Sequence, residues 1–337
     1  GLQGTLLGVR GGIEGFSTFE MSIVMSAYFA GFLGGSRVAP EMIRRVGHVR
    51  VFAALASFIS AILILYPAFA HPVAWALGRV VIGFCFSGVY VTAESWLNNS
   101  ADNTNRGKAL SVYMIVQMFG IVSAQVLLAM GDVSGYALFI VSSVLVSISF
   151  APILLSISPT PAFETAKPMP LKTLIKISPL GCFGMFLLGG VFSAQFGMSA
   201  VYGVAAGLTI AQISLFVSSI YVGALLMQYP IGWFSDRVDR RLVILIVASL
   251  GGVMSLVAFS FDQYFSALLV AAFIIGGTSN PLYSLLIAYT NDYLEADDMA
   301  SASGGLIFIN GMGAIAGPLV TGKMMDTFGT QAFFMVI

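Results

Sequence analysis

Gly232-Trp233-Phe234-Ser235-Asp236-Arg237-Val238-Asp239-Arg240-Arg241 places two acids and three guanidinium groups between two long apolar runs. The stretch is too short to be a domain and too charged for a bilayer interior, so it belongs at a membrane face. The flanking runs, 209–231 and 242–260, each approach or exceed the ~20 residues that carry a helix across a hydrocarbon core.

The rest of the chain agrees with that reading. It is 337 residues long, 58% hydrophobic and 9% charged, with a mean hydropathy of +0.94. Soluble domains carry about 25% charged residues, so an ordinary cytosolic enzyme is excluded. Ten crossings are predicted, over 19–38, 51–69, 73–97, 109–130, 136–156, 178–203, 209–231, 242–260, 264–289 and 301–322. The short apolar piece at 1–9 and the run starting near Gln331 read as parts of two more, spans 1 and 12 of a twelve-span parent.

A net charge of zero hides a topological asymmetry. If 37–50 faces the cytoplasm, then so do Arg106 and Lys108, then Lys167, Lys172 and Lys176, and then Arg237, Arg240 and Arg241. That leaves only Arg10 and Lys323 outside and Arg79 within a span, as positive-inside bias requires. Cys85 and Cys182 both fall in apolar runs and read as packing residues rather than a disulfide.

A Pro- and Lys-rich interruption divides the chain into an N-terminal bundle (1–156), a cytoplasmic linker (157–177) and a C-terminal bundle (178–337). Sliding one half over the other by 193 residues pairs Ser26 with Ser219, Tyr28 with Tyr221, Gly83 with Gly276, Tyr90 with Tyr283, Asn98 with Asn291 and Gly120 with Gly313. A single register across four spans points to duplication, and parallel repeats in transporters place the solute site between the halves near the midplane.

The decapeptide at 232–241 resembles the loop signature of the major facilitator superfamily, Gly-x-x-x-Asp-Arg-x-Gly-Arg-Arg, with Asp239 where the second Gly is usual. Its twin, GGSRVAPEMIRRVGHVR at 34–50, keeps Gly35, Arg45, Gly47 and Arg50 but lacks the Asp, leaving Glu41 as its candidate acid. Arg79 to Gly83 resembles the family's Arg-x-x-x-Gly element, and Gly313 to Pro318 its Gly-x-x-x-Gly-Pro element. Glu14-Gly15-Phe16, Glu94-Ser95-Trp96-Leu97-Asn98 and Gln228-Tyr229-Pro230-Ile231-Gly232 are most similar to the YcaD-like branch. The resemblance implies an all-α polytopic membrane protein of two six-helix bundles related by a pseudo-two-fold axis. It also implies a secondary transporter in the bacterial inner membrane that moves a small solute by alternating access with proton coupling, works as a monomer and has no enzyme activity.

Candidate site residues follow from position. In span 4, Arg79, Gly83, Ser87, Tyr90 and Glu94 share one helical face. An Arg inside a span is expensive unless it faces protein or a watery cavity. Arg79 is therefore either a site residue or a structural Arg satisfied by neighbouring carbonyls. With Tyr90, Gln117, Gln195, Tyr221, Asn280, Tyr283 and Asn310 it forms the predicted cavity lining, although such groups also serve simply to join helices. Glu94, Arg106, Arg44 and Arg45, with Asp236, Arg237, Arg240 and Arg241, form a predicted cytoplasmic latch. The acids Asp292, Glu295, Asp297 and Asp298 are the expected partners of the 232–241 cations, and Asp236 is an expected helix cap. Gly83, Gly120, Gly313, Gly317 and Pro318 read as sites of close helix packing.

No phosphate loop or His pair is present, so no cofactor, metal or nucleic acid is expected; His48 and His71 are placed in loops. A transporter-like fold acting as a sensor or assembly partner without flux is the rival reading. A channel is disfavoured by the absence of a charge ring or filter repeat.

Overall fold

The computed structural model describes residues 1–100, 106–154 and 169–337, without the side chains of 98–100, 106–108, 110–111, 153–154, 296–297 and 300. Every regular element among the described residues is helical. In chain order they are α1 (Leu2–Ile13), α2 (Thr18–Val46), α3 (His48–Ala68), α4 (Pro72–Ser100), α5 (Arg106–Met130), α6 (Ala137–Ser149), α7 (Ala151–Leu154), α8 (Leu171–Ile177), α9 (Pro179–Ser193), α10 (Ser199–Ala205), α11 (Ile210–Ser235), α12 (Arg240–Ser260), α13 (Phe265–Asn291), α14 (Ala296–Phe328) and α15 (Phe333–Val336). A π-helical turn, Ala194–Met198, joins α9 to α10 and makes one span of them.

Eight helices among the described residues are long and apolar enough to cross a membrane. Two of the ten predicted crossings differ. Helix α2 has 29 residues but carries Arg37 and a Gly-Gly-Ser step, and α6 has only 13 residues. The twin loop is also corrected. The sequence 34–50 reads as a loop, yet α2 stays helical to Val46, turns at Gly47 (φ 84°) and α3 begins at once with His48. Glu41 accounts for the extension, because it holds Arg44 and Arg45 three and four residues on, the spacing that supports a helical turn. His48 is accordingly a buried helix-start residue rather than a loop histidine, and its Nε2 lies 2.9 Å from Ser95 Oγ.

Helices α2 and α11 open on matching capping boxes. Ser17 Oγ accepts from the Glu20 amide (3.2 Å) while Glu20 accepts from the Ser17 amide (2.8 Å). Thr209 and Gln212 repeat the arrangement at 3.3 and 2.9 Å. Each box satisfies backbone donors at a helix start that the apolar phase cannot. The same local backbone chemistry thus recurs in both sequence halves, 192 residues apart.

Packing repeats as well. Gly83 of α4 lies so close to α2 that a side chain there would run into the Tyr28 carbonyl, and Gly276 of α13 stands in the same relation to Ile220 of α11. Gly313 and Gly317 of α14 meet the Phe186 and Gly190 carbonyls of α9, and α14 continues unbroken through Pro318. Gly120 is a correction: nothing lies within 4 Å of where its side chain would begin, so it makes no close helix contact. Across the halves, Ser26 of α2 donates to the Ile315 carbonyl of α14 (2.6 Å), and Gly8 of α1 abuts Ala200 of α10.

Candidate functional site

Helices from both sequence halves line a cavity of about 410 Å³. Seven of the eight residues predicted to line it do so: Arg79, Tyr90, Gln117, Tyr221, Asn280, Tyr283 and Asn310. They come from α4, α5, α11, α13 and α14, so both sequence halves contribute. Gln195 does not line this cavity. Phe192 and Phe196 hold that face of the span, and Gln195, one residue before Phe196 in the π-helical turn, lies on another face. It accepts instead from Ser279 of α13 (3.1 Å), in a separate apolar cleft.

Arg79 dominates the electrostatics. It is 3% exposed, and its Nη1 donates to Gln3 Oε1 of α1 at 2.9 Å. Its other contacts are weak: Nη2 lies 3.4 Å from the Met25 sulfur, and the guanidinium sits 4.5 Å above the Tyr28 ring. Nε is buried without a partner. Among the described residues no acid lies within ion-pair distance. A guanidinium stays protonated at any physiological pH, so a full positive charge borders the cavity without a counter-ion.

Aromatic rings form the facing walls. From one half come Tyr28, Phe32 and Tyr90, with Phe32 and Tyr90 centroids 6.2 Å apart. From the other, Tyr221 stacks on Phe196 (5.1 Å, 12°), Phe196 on Phe192 (5.7 Å, 25°), and Phe192 approaches Tyr283 at 6.2 Å. Composition hides these rings, because a Phe in a span is expected to face lipid. The four-residue spacing of Tyr28 with Phe32 and of Phe192 with Phe196 puts each pair on one helical face, the same pattern that a lipid-facing pair has. Gln3 escapes sequence reasoning as the partner of Arg79 because 1–9 reads as a mere apolar remnant.

The charged helix ends form a second constellation, here called the basic face. Arg240 Nη1 bonds both carboxylate oxygens of Asp292 (2.6 and 2.5 Å), joining the start of α12 to the end of α13. Arg241 donates to the Tyr293 hydroxyl, and Arg237 donates to the Trp233 carbonyl (2.8 Å) and stacks on its ring at 3.9 Å. The cap at the start of α12 is Asp239, whose Oδ1 accepts from the Arg241 amide at 2.8 Å; Asp236 ends α11 instead. The acid that departs from the family pattern thus has a structural use.

The predicted partnership of Glu94 with Arg44 and Arg45 is not made. Both cations are bound by Glu41, at 2.7 and 2.6 Å, and their pull holds its carboxyl down at about 2. Glu94 instead accepts a long hydrogen bond from Tyr113 of α5 (3.5 Å). The side chains of Arg106 and Asp297 lie outside the described residues. Arg37, not predicted, reaches from α2 to stack 4.0 Å over Phe308 of α14. Asp236 and Arg237 line a cleft with Met114 and Ile115 of α5.

Residues 11–211 and 181–337 match the sequence profile described as Major Facilitator Superfamily. The chain belongs to the major facilitator superfamily, whose members are membrane transporters. An uncharacterized MFS-type transporter of Yersinia pestis (strain Pestoides F) is 27% identical over 330 residues, 95% of this chain and 83% of that protein. The uncharacterized MFS-type transporter YcaD of Escherichia coli (strain UTI89 / UPEC) is 27% identical over 333 residues, covering 96% and 84%. Among solved structures, a point mutant of the nucleoside transporter NupG superposes with a TM-score of 0.80 at 15% identity, covering 99% of this chain and 91% of its own. The protein is thus a multi-pass integral membrane protein with the fold of this superfamily.

Proposed function

We propose that the chain is a secondary transporter that carries a small solute through the central cavity by alternating access. One observation supports this most: polar and aromatic side chains from both sequence halves converge on a single cavity between them. In this reading, residues 1–156 and 178–337 rock as two bundles joined by 157–177, and the monomer works in the bacterial inner membrane. The solute meets Arg79, the amides of Gln117, Asn280 and Asn310, and the tyrosines Tyr90, Tyr221 and Tyr283.

Proton coupling is assigned to Glu94, one turn beyond the cavity residue Tyr90 on α4 and hydrogen-bonded by Tyr113. Unlike Arg79, a carboxylate placed there can lose and regain its proton as its surroundings change. The family resemblance supports protons as the coupling ion.

Proteoliposomes loaded with a pH-sensitive dye, and challenged with single metabolites, test the reading. Solute-dependent proton movement that is lost in Arg79→Ala and uncoupled in Glu94→Gln is the expected result. Flux unchanged in a folded Arg79→Ala protein overturns the site. Ligand binding without any counterflow overturns transport in favour of a sensor.

A further inference from the structure

The cavity's charge and shape together narrow what it accepts. Its only charged lining side chain among the described residues is Arg79, which has no acid partner and one buried N–H unsatisfied. A buried cation without a counter-ion is costly, and a bound anion removes that cost. One guanidinium neutralises one negative charge. A dianion such as a phosphate monoester would leave an uncompensated charge in the same low-dielectric space.

The walls supply the second constraint. Tyr221, Phe196 and Phe192 form a stacked ladder on one side, with interplanar angles of 12° and 25°. Tyr28 and Phe32 lie on the other side, and the guanidinium is placed directly over Tyr28. Rings stacked in this way cover one another's faces and offer their edges along the side of the ladder, where a flat ring laid against them gains edge-to-face energy beyond area burial. Asn280 adds an amide that makes no hydrogen bond among the described residues. A volume of about 410 Å³ suits a one- or two-ring molecule rather than a nucleotide or an oligosaccharide.

We infer that the cavity's ligand is a small planar aromatic monocarboxylate, its carboxylate bidentate on Arg79 and its ring lying along the Tyr221–Phe196–Phe192 ladder. The planar fork of Arg matches a carboxylate in two parallel hydrogen bonds, and the Nη hydrogens of Arg79, only partly used by Gln3 and the weak Met25 contact, remain for them on the cavity wall. Neutral sugars and nucleosides leave the cation uncompensated and are excluded as good ligands.

This inference rests on the cavity being the solute site. It is tested by binding of four matched probes to the purified full chain: 2-naphthoate, 2-naphthamide, decahydro-2-naphthoate and 2-naphthyl phosphate. Thermal-shift and calorimetric titration should rank naphthoate at least tenfold tighter than each of the others. Equal binding of the amide overturns the charge requirement, and equal binding of the saturated acid overturns the stacking requirement. Tighter binding of the phosphate overturns the single-charge argument. Arg79→Gln should abolish the preference for naphthoate over naphthamide. If that variant fails to fold, Phe196→Leu, which leaves Arg79 untouched, should erase the preference for naphthoate over its saturated analogue. An unchanged ranking in a folded Phe196→Leu protein overturns the placement of the ring. Naphthoate that binds with this ranking but shows no counterflow in liposomes leaves the ligand class standing and sinks the transport reading. Flux of neutral solutes insensitive to naphthoate does the reverse.

Discussion

Replacing Gly313 by Ala tests how tightly α9 and α14 are sealed. A methyl group at Gly313 would run into the main-chain carbonyl of Phe186, and that carbonyl belongs to the hydrogen-bond ladder of α9. No rotamer change can relieve such a collision, so the helices must separate along their seam. Forcing extra volume into a packed core costs ~1–3 kcal/mol. At ~2–4 °C per kcal/mol for a cooperative unit of roughly 150–250 residues, the midpoint should fall by ~2–12 °C. Gly120→Ala is the matched control, because its new methyl group meets open space and removing a mid-helix Gly gains ~0.5–1 kcal/mol. Cys85 and Cys182 are free and buried, so a thiol-reactive fluorophore that lights up on unfolding reads both variants without added labels. Equal midpoints for Gly313→Ala and Gly120→Ala would refute the close approach of α9 and α14.

The capping boxes should act independently: Ser17→Ala and Thr209→Ala each lower stability by ~0.5–2 kcal/mol, and their effects add when measured by the same thermal assay. A double-mutant cycle over Arg240 and Asp292, a partly exposed pair, should give a coupling of ~0.2–1 kcal/mol that shrinks as salt is raised; a coupling that survives molar salt contradicts the exposed geometry. Glu41 is held at about 2 in the folded protein against an ordinary 4.5, because Arg44 and Arg45 stabilise its charged form. A lowered value means stability present above pH 4.5 and lost as pH falls towards 2. Glu41→Gln should therefore flatten thermal midpoints across that window and leave them parallel to the parent above it.

The fold is legible because membrane insertion leaves a coarse signature. Long apolar runs, basic loops on alternate sides and the decapeptide at 232–241 together identify the architecture. Helix ends are less legible. Hydropathy reports where lipid stops, whereas α2 runs on past its lipid segment to Val46 because Glu41 and the two following arginines keep the turn helical. The Pro318 element, read as a packing site, sits inside an uninterrupted α14 where Gly313 and Gly317 meet α9. The cavity is half legible. Tyr, Asn, Gln and Arg betray themselves inside a span, and those seven residues converge. Phe32, Phe192 and Phe196 do not, because an aromatic ring facing lipid and one facing a cavity are the same letters in the same period. Gln195 goes astray for the converse reason: a polar residue in a span also serves a neighbouring helix, as it does with Ser279.

The charged face reads in sequence as one latch, and its geometry separates into two kinds of contact with different consequences for rocking. Arg240 with Asp292, and Arg241 with Tyr289 and Tyr293, tie α12 to α13, two helices of the same sequence half. Glu41 with Arg44 and Arg45 is confined to α2 alone. Neither set has to break if the halves move as bodies, so their effect is to stiffen what moves. The contacts that do cross are of another type. Arg37 lies over Phe308, Ser26 donates to the Ile315 carbonyl, and the cleft shared by Asp236 and Arg237 faces Met114 and Ile115. Beside the packing of Gly8 on Ala200, these are single hydrogen bonds, a cation on a ring, and charges beside apolar side chains, each worth about 1 kcal/mol or less when partly exposed. A seam of such contacts, between bodies each tied by backbone close approach at Gly83, Gly276 and Gly313, can open without either body losing its shape. In the proposed cycle the conspicuous loop at 232–241 therefore acts within its own half, and the gate is set by the quieter contacts of α2 with α14 and of α5 with α11.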